Sequence, residues 1–156
     1  MYLNRLEYKM ECENSFVVQY PKFIFYIGVL CNIVFIIVLL GFTLFSKQLP
    51  HLIFYIFCAM FLSWGTYLIL KVCKFKVIVT GLQIEVFPVF KKSYIFSFID
   101  IVEARRQVKK NQMKSERIVI KTKFGQKLVL ESQAIAYNMF VVELKDKVNH
   151  KYLFGF

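Results

Sequence analysis

Two histidines, four cysteines and ten acidic residues are the side chains from which this 156-residue chain would have to build acid–base, nucleophilic or metal chemistry. His51 lies between two apolar runs and His150 near the carboxyl terminus. On the topology reached below they fall on opposite sides of a membrane, where they cannot share a metal or pass a proton. Cys12, Cys31, Cys58 and Cys73 contain no CxxC pair, and free thiols suit a reducing cytoplasm. The carboxylates Glu85, Asp100, Glu103, Glu116, Glu131, Glu143 and Asp146 are scattered, mostly on expected turns or outward strand faces. There is no Gly-x-Gly-x-x-Gly, Walker loop or Gly-x-Ser-x-Gly sequence. The expectation is a non-enzymatic protein with no catalytic residues, no metal site and no cofactor.

What the chain has in excess is positive charge: 21 Lys and Arg against 10 Asp and Glu, a formal net of +11. Residues 1–22 balance Arg5, Lys9 and Lys22 against Glu7, Glu11 and Glu13, and residues 23–70 contain Lys47 alone. Residues 71–156 hold 17 basic and 7 acidic residues. Anionic lipid and nucleic acid both attract such charge. The aromatic residues of the basic half alternate inward and leave no exposed stacking platform, so nucleic acid is not an expected partner. The positive-inside bias extended into a plain solvated surface is the first reading; after it come a bilayer with anionic headgroups and then an unidentified acidic protein as partners. If the strands form an up-and-down meander, successive turns alternate between ends near to and far from the membrane. Lys71, Lys74, Lys76, Lys91, Lys92, Lys109, Lys110 and Lys114 would then share one membrane-facing rim, with Lys123 and Lys127 at the far end.

The elements that must position these charges divide at the same point. The chain is 58% hydrophobic with only 6 Gly and 3 Pro, which excludes collagen-like and disordered classes. Phe23 to Phe45 is an uncharged run, and a helix of about 23 residues rises ~34 Å, enough to cross a ~30 Å hydrocarbon core. A second uncharged run follows from Gln48 to Leu70, so spans are expected at about 23–45 and 51–71 within a hairpin covering 23–72. The first run is too long for a signal-peptide core and lacks a small-x-small cleavage site. Ser46 to Pro50 is long enough only for a turn, which puts both termini on one side. Lys22, Lys71, Lys74 and Lys76 flank that side against Lys47 in the turn, so both termini are expected in the cytoplasm of a multi-pass cell-membrane protein.

Asn32 is the strongly polar residue of the first span, and its depth in an antiparallel hairpin matches Ser63 and Thr66 in the second. An interhelical contact there is expected to act as packing glue, with Gly28, Gly41 and Gly65 allowing close approach. Two helices cannot enclose a pore unless the protein forms a homo-oligomer.

Beyond Lys74 the pattern becomes alternating, which predicts strands. Phe75, Val77 and Val79 face one way in the first, then Gly81 turns the chain. Leu82, Ile84 and Val86 follow in the second, ended near Pro88, and Tyr94, Phe96 and Phe98 in the third. Val102, Ala104 and Val108 share a face of the fourth, Ile118 and Ile120 belong to the fifth, and Leu128 and Leu130 point inward from the sixth. The period then changes: Tyr137, Phe140, Val141, Leu144 and Val148 form the apolar stripe of an amphipathic helix, with Ser132 or Asn138 as its N-cap.

The stretches KVIVTGLQIEVF, SYIFSFIDIVEA and IVIKTKFGQKLVLESQAIAYNMFVVELKDKV resemble the bacterial pleckstrin-homology-like (PH-like) domain, over roughly residues 20–148. The order of hairpin, meander and helix carries the resemblance more than any single residue. It implies an antiparallel β barrel or sandwich of commonly seven strands with a C-terminal amphipathic helix. The seventh strand is expected from the amino-terminal segment, around Tyr2, Arg5 and Glu7 through Met10. The expected layout is a cytoplasmic segment at 1–22, the transmembrane hairpin at 23–72, the PH-like domain at 74–149 and a tail at 150–156. The resemblance implies a binding or scaffolding module at the cytoplasmic face. Alternatives are a bacteriocin-immunity or envelope-stress protein, and an accessory subunit of a transporter.

Overall fold

The computed structural model describes residues 15–45, 52–108 and 116–156. The chain divides into two units: Pro21–Lys74, and the segments flanking it, through Tyr20 and from Phe75 to Phe156.

The inserted unit is two helices, α1 (Lys22–Phe45) and α2 (Leu52–Lys74). Each is long enough and apolar enough to cross a membrane. Their outward faces carry Leu30, Ile37, Leu40, Ile53, Met60 and Trp64, all exposed. Phe35 stacks on Phe61 with ring centroids 4.4 Å apart, and Phe42 lies 4.6 Å from Phe54. Advancing along α1 therefore means retreating along α2, so the pair is antiparallel.

The flanking unit follows from alternation of apolar and polar residues. β1 (Phe16–Gln19), β2 (Lys76–Thr80), β3 (Gln83–Phe87) and β4 (Tyr94–Ser97) form an antiparallel sheet in that order. Val18, Val77, Val79, Ile84, Val86 and Phe96 are its buried face. Gly81, at φ +56°, makes the β2–β3 turn in a backbone conformation that a side chain would strain. A 3-10 turn at Phe98–Asp100 takes the chain out of this sheet, and the Asp100 carboxylate accepts the Ser97 N–H at 2.9 Å. β5 (Ile101–Val108), β6 (Glu116–Thr122) and β7 (Lys127–Glu131) then pair antiparallel. A two-residue β8 (Leu153–Phe154) joins β5 in parallel, giving the order β7-β6-β5-β8. Ile101, Ala104, Ile118, Ile120, Leu128 and Leu130 close the core from this side.

The last helix, α3 (Tyr137–Lys147), buries Tyr137, Phe140, Leu144 and the following Val148 in that core, the expected stripe. Full burial of Phe140 and of Leu144 contributes ~1.5–3 kcal/mol each. Neither expected N-cap is used. Ala136, in the left-handed region at φ 61°, precedes the helix without a side-chain cap, while the Ser132 hydroxyl accepts the Glu116 N–H at 3.3 Å.

The described residues contain eight strands where the sequence predicts six in its second half. β1 belongs to the amino-terminal segment, at Phe16–Gln19; Tyr2, Arg5 and Glu7 through Met10 lie outside the described residues. β8 comes from residues 150–156, expected as a tail, whose Tyr152, Leu153 and Phe156 pack against the core. In β5, Ala104 is buried with Ile101, whereas Val102 and Val108 are 44% and 55% exposed. An irregularity in pairing between Ile101 and Glu103 puts Val102 out of phase with Ala104, while Val108 keeps the phase of Ala104 but stands at the end of the strand opposite Glu116, so the expected common buried face does not form. No ladder among the described residues joins one sheet to the other, so the unit is two sheets on one core and not a closed barrel.

Candidate functional site

The expected polar contact between the helices forms with one of its two candidates. Asn32 Nδ2 donates to Thr66 Oγ1 at 3.4 Å, while Thr66 itself donates to the Leu62 carbonyl at 2.8 Å. Ser63 turns back on its own helix and donates to the Ala59 carbonyl at 2.7 Å. Gly28 and Gly65 form the crossing point: a Cβ on Gly28 would stand 2.8 Å from the Gly65 carbonyl, and one on Gly65 would land on Asn32 Oδ1. Gly41 meets nothing within 4 Å, so close approach there does not occur. Among the described residues no acidic or basic group joins this contact.

The lysines expected in one rim divide into three groups. Lys71 and Lys74 are in the last turn of α2, where cations oppose the negative end of the helix dipole. Lys109, Lys110 and Lys114 lie outside the described residues. Lys76, Lys91 and Lys92 do share one end of the first sheet. Gln19 pairs with Lys76 and Lys76 with Phe87, and the 88–93 loop closes that end before Tyr94 begins β4. Lys76 Nζ lies 5.9 Å from the centroid of the Phe87 ring. Phe90, 74% exposed, stands at the loop tip next to exposed Lys91 and Lys92. The chain leaves for α1 and returns from α2 at this same end.

Lys127 is also at this end, contrary to expectation. The Tyr94 hydroxyl donates to the Lys127 carbonyl at 3.1 Å, and the Tyr20 hydroxyl to Glu131 Oε2 at 3.2 Å. The two ends of β7 thus bond to Tyr94 of β4 and to Tyr20, the residue that follows β1. Lys123, by contrast, donates its N–H to the Asp100 carbonyl at 2.9 Å and its ammonium pairs with the Asp100 carboxylate at 2.6 Å, so it stays beside the Phe98–Asp100 turn at the other end of the first sheet.

The outward face of that second sheet is the other concentration of charge. It holds an open, shallow depression of about 260 Å³, lined by side chains of β5, β6 and β7. Cross-strand register arranges them in rows. Glu103, Lys121 and Lys127 form one, Phe154, Arg105, Val119 and Val129 the next, and Gln107, Arg117 and Glu131 the third. Glu103 is shared by Lys121 Nζ at 2.6 Å and Arg105 at 3.1 Å, and the hydrogen bond from Lys121 holds its pKa below the usual carboxylate range. Arg117 Nε donates to the neutral Gln107 Oε1 at 2.7 Å. Arg105 lies 5.9 Å from the Phe154 ring centroid. The Lys127 ammonium has no ion-pair partner among the described residues. Sequence reasoning passes over this face because its outward positions mix Arg and Lys with Val. The signal that could have found it is the Arg117–Val119–Lys121 alternation on the central strand.

Among the described residues no three His, Cys, Asp or Glu side chains converge as metal ligands would. His150 is exposed, Cys58 buried and Cys73 exposed. Comparison with known proteins gives no matching family model, no matching curated protein and no matching solved structure.

Proposed function

We propose that the chain is a multi-pass integral protein of the cell membrane, in which α1 and α2 cross the bilayer and both termini face the cytoplasm. The two sheets and α3 are then a non-enzymatic, PH-like binding module held at the cytoplasmic surface. The observation that carries this reading is the β1–β2 ladder. Two adjacent, hydrogen-bonded strands bracket an antiparallel pair of apolar helices. A chain entering the bilayer at Pro21 therefore comes out on the side it left, beside the strand it left from. The lysines support the cytoplasmic assignment, because Lys22, Lys71 and Lys74 stand at the outer ends of the helices. Seven of the eight described strands, β1 to β7, together with α3 support the PH-like reading, and β8 is additional to what the resemblance implies.

On this reading Lys76, Lys91 and Lys92, at the end of the first sheet where the chain enters and leaves the helices, contribute ~1 kcal/mol each where they reach an anionic leaflet. Two spanning helices anchor the protein far more firmly than such a patch, so these lysines orient the module and do not recruit it. The test is thiol accessibility in right-side-out vesicles. In a chain keeping Cys73 as its sole cysteine, an impermeant maleimide reacts only after permeabilisation. A cysteine introduced by Gln48→Cys reacts at once. Labelling of Cys73 in sealed vesicles overturns the topology.

A further inference from the structure

We infer that the outward face of the second sheet is a docking surface for an extended acidic segment of a partner protein, one that alternates carboxylates with apolar residues. This rests on reading the sheets as a binding module, but not on the helices crossing a membrane. The central strand β6 presents Arg117, Val119 and Lys121 on one face. Along a strand such neighbours stand about 7 Å apart, and an extended peptide repeats its own side chains at the same interval. A peptide lying along β6 with the pattern acidic–x–apolar–x–acidic therefore meets cation, valine and cation in register. Lys127 and Arg105 flank the track, and Val129 and Phe154, 37% and 47% exposed, widen its apolar middle.

The charges already present favour this occupant. Four cations, Arg105, Arg117, Lys121 and Lys127, share the face with two carboxylates, Glu103 and Glu131. Glu103 is engaged by two of the cations, and Glu131 accepts the Tyr20 hydroxyl. Among the described residues Arg117 bonds the neutral Gln107 amide of β5, and a bidentate carboxylate suits the remaining N–H groups of its guanidinium. Nucleic acid has no side chain to fill the valine row, and a uniformly anionic bilayer gains nothing from carboxylates embedded in the patch. An alternating peptide uses both features.

The experiment uses the full chain in detergent micelles and fluorescence anisotropy of labelled peptides. A repeating Glu-Ser-Val-Ser peptide places Glu and Val on one face of an extended strand. A repeating Glu-Val-Ser-Ser peptide has the same composition and charge but puts them on opposite faces. The first is expected to bind saturably, the second and a Lys-Ser-Val-Ser peptide much more weakly. Arg117→Gln combined with Lys127→Gln removes cations without adding charge and is expected to weaken binding by about tenfold. Val129→Ser weakens it to a smaller extent, and Lys145→Gln, on the exposed side of α3, leaves it unchanged. Melting curves check that each variant is folded. Equal binding of the two Glu peptides, or a loss with Lys145→Gln equal to that with either Arg117→Gln or Lys127→Gln alone, overturns the inference in favour of diffuse attraction. So does a face whose variants change retention on anionic-lipid nanodiscs but not peptide binding. Thiol labelling reports separately on the membrane reading, so either proposal can fail while the other stands.

Discussion

Substituting Gly65 by alanine tests whether the helix pair is held by a specific crossing or merely by apolar surface. The added methyl would land on Asn32 Oδ1 and lie 3.0 Å from both Asn32 Cγ and the Gly28 carbonyl. Two of these three atoms belong to Asn32, so the helices must part or Asn32 must turn away and release Thr66. Loss of that hydrogen bond costs ~0.6–2 kcal/mol in an apolar medium. Overpacking against the Gly28 backbone adds ~1–3 kcal/mol. Alanine's better helix propensity returns ~0.5–1 kcal/mol. The net expected loss is about 1–4 kcal/mol. Gly41→Ala collects the propensity gain against open space and should be neutral or slightly stabilising. Trp64, the sole tryptophan of the chain, is one residue from the crossing and 6.4 Å from the Phe61 ring centroid. Its fluorescence can follow dissociation of the helices as SDS is titrated into mild-detergent micelles. Asn32→Ala combined with Gly65→Ala should destabilise less than the sum of the two singles, because removing the amide makes room for the methyl. An unshifted Gly65→Ala transition, or strict additivity in that cycle, would refute the crossing.

Two other perturbations probe the sheets. Leu144→Asp places an unpaired charge at a fully buried position and should cost several kcal/mol, enough to abolish the near-UV signal of the sheet unit, whereas Val142→Asp, at a 65% exposed position of the same helix, should leave it intact. Asp100 and Glu103 both have pKa values lowered, chiefly by hydrogen bonds from Lys123 and Lys121 respectively. A carboxylate whose folded pKa lies below its unfolded value stabilises the fold above the unfolded pKa, and that contribution is lost as pH falls through the folded one. Melting temperatures should therefore drop on the acid side, through and below the ordinary carboxylate range, and Asp100→Asn with Glu103→Gln should flatten that limb. An acid limb unchanged by the double substitution would show that other groups set it.

The helices and most strand faces were legible because their signals are local. An uncharged run needs no partner to be recognised, and β2, β3, β6 and β7 keep strict alternation against the core. β5 was misread because its phase is reset by a bulge, and that depends on how Glu103 and Lys121 pair across the sheet. β1 and β8 are four and two residues long. Strands so short exist only through their neighbours, and the residue that aligns Phe16 is Val79, on the far side of both helices. Asn32 was legible as the single amide in an apolar run, yet its choice of Thr66 over Ser63 depends on side-chain direction around the helix. The position of Lys127 was not legible, because two tyrosine hydroxyls bring β7 to the first sheet and nothing in the spacing of the turns announces that.

The ladder between β1 and β2 also joins the two halves of the molecule energetically. Holding the ends of a flexible insertion of about fifty residues together would cost roughly 3.5 kcal/mol beyond a constant term. Against that, β1 brings one fully buried side chain, Val18, worth ~1.5–3 kcal/mol, and a four-residue ladder. Such a strand is marginal if the insertion is loose. Paired antiparallel helices remove most of the closure cost, because the chain's return is already fixed by contacts from Gly28–Gly65 to Phe42–Phe54. The crossing lock thus stabilises β1, and with it Tyr20, whose hydroxyl holds Glu131 in the row of Arg117.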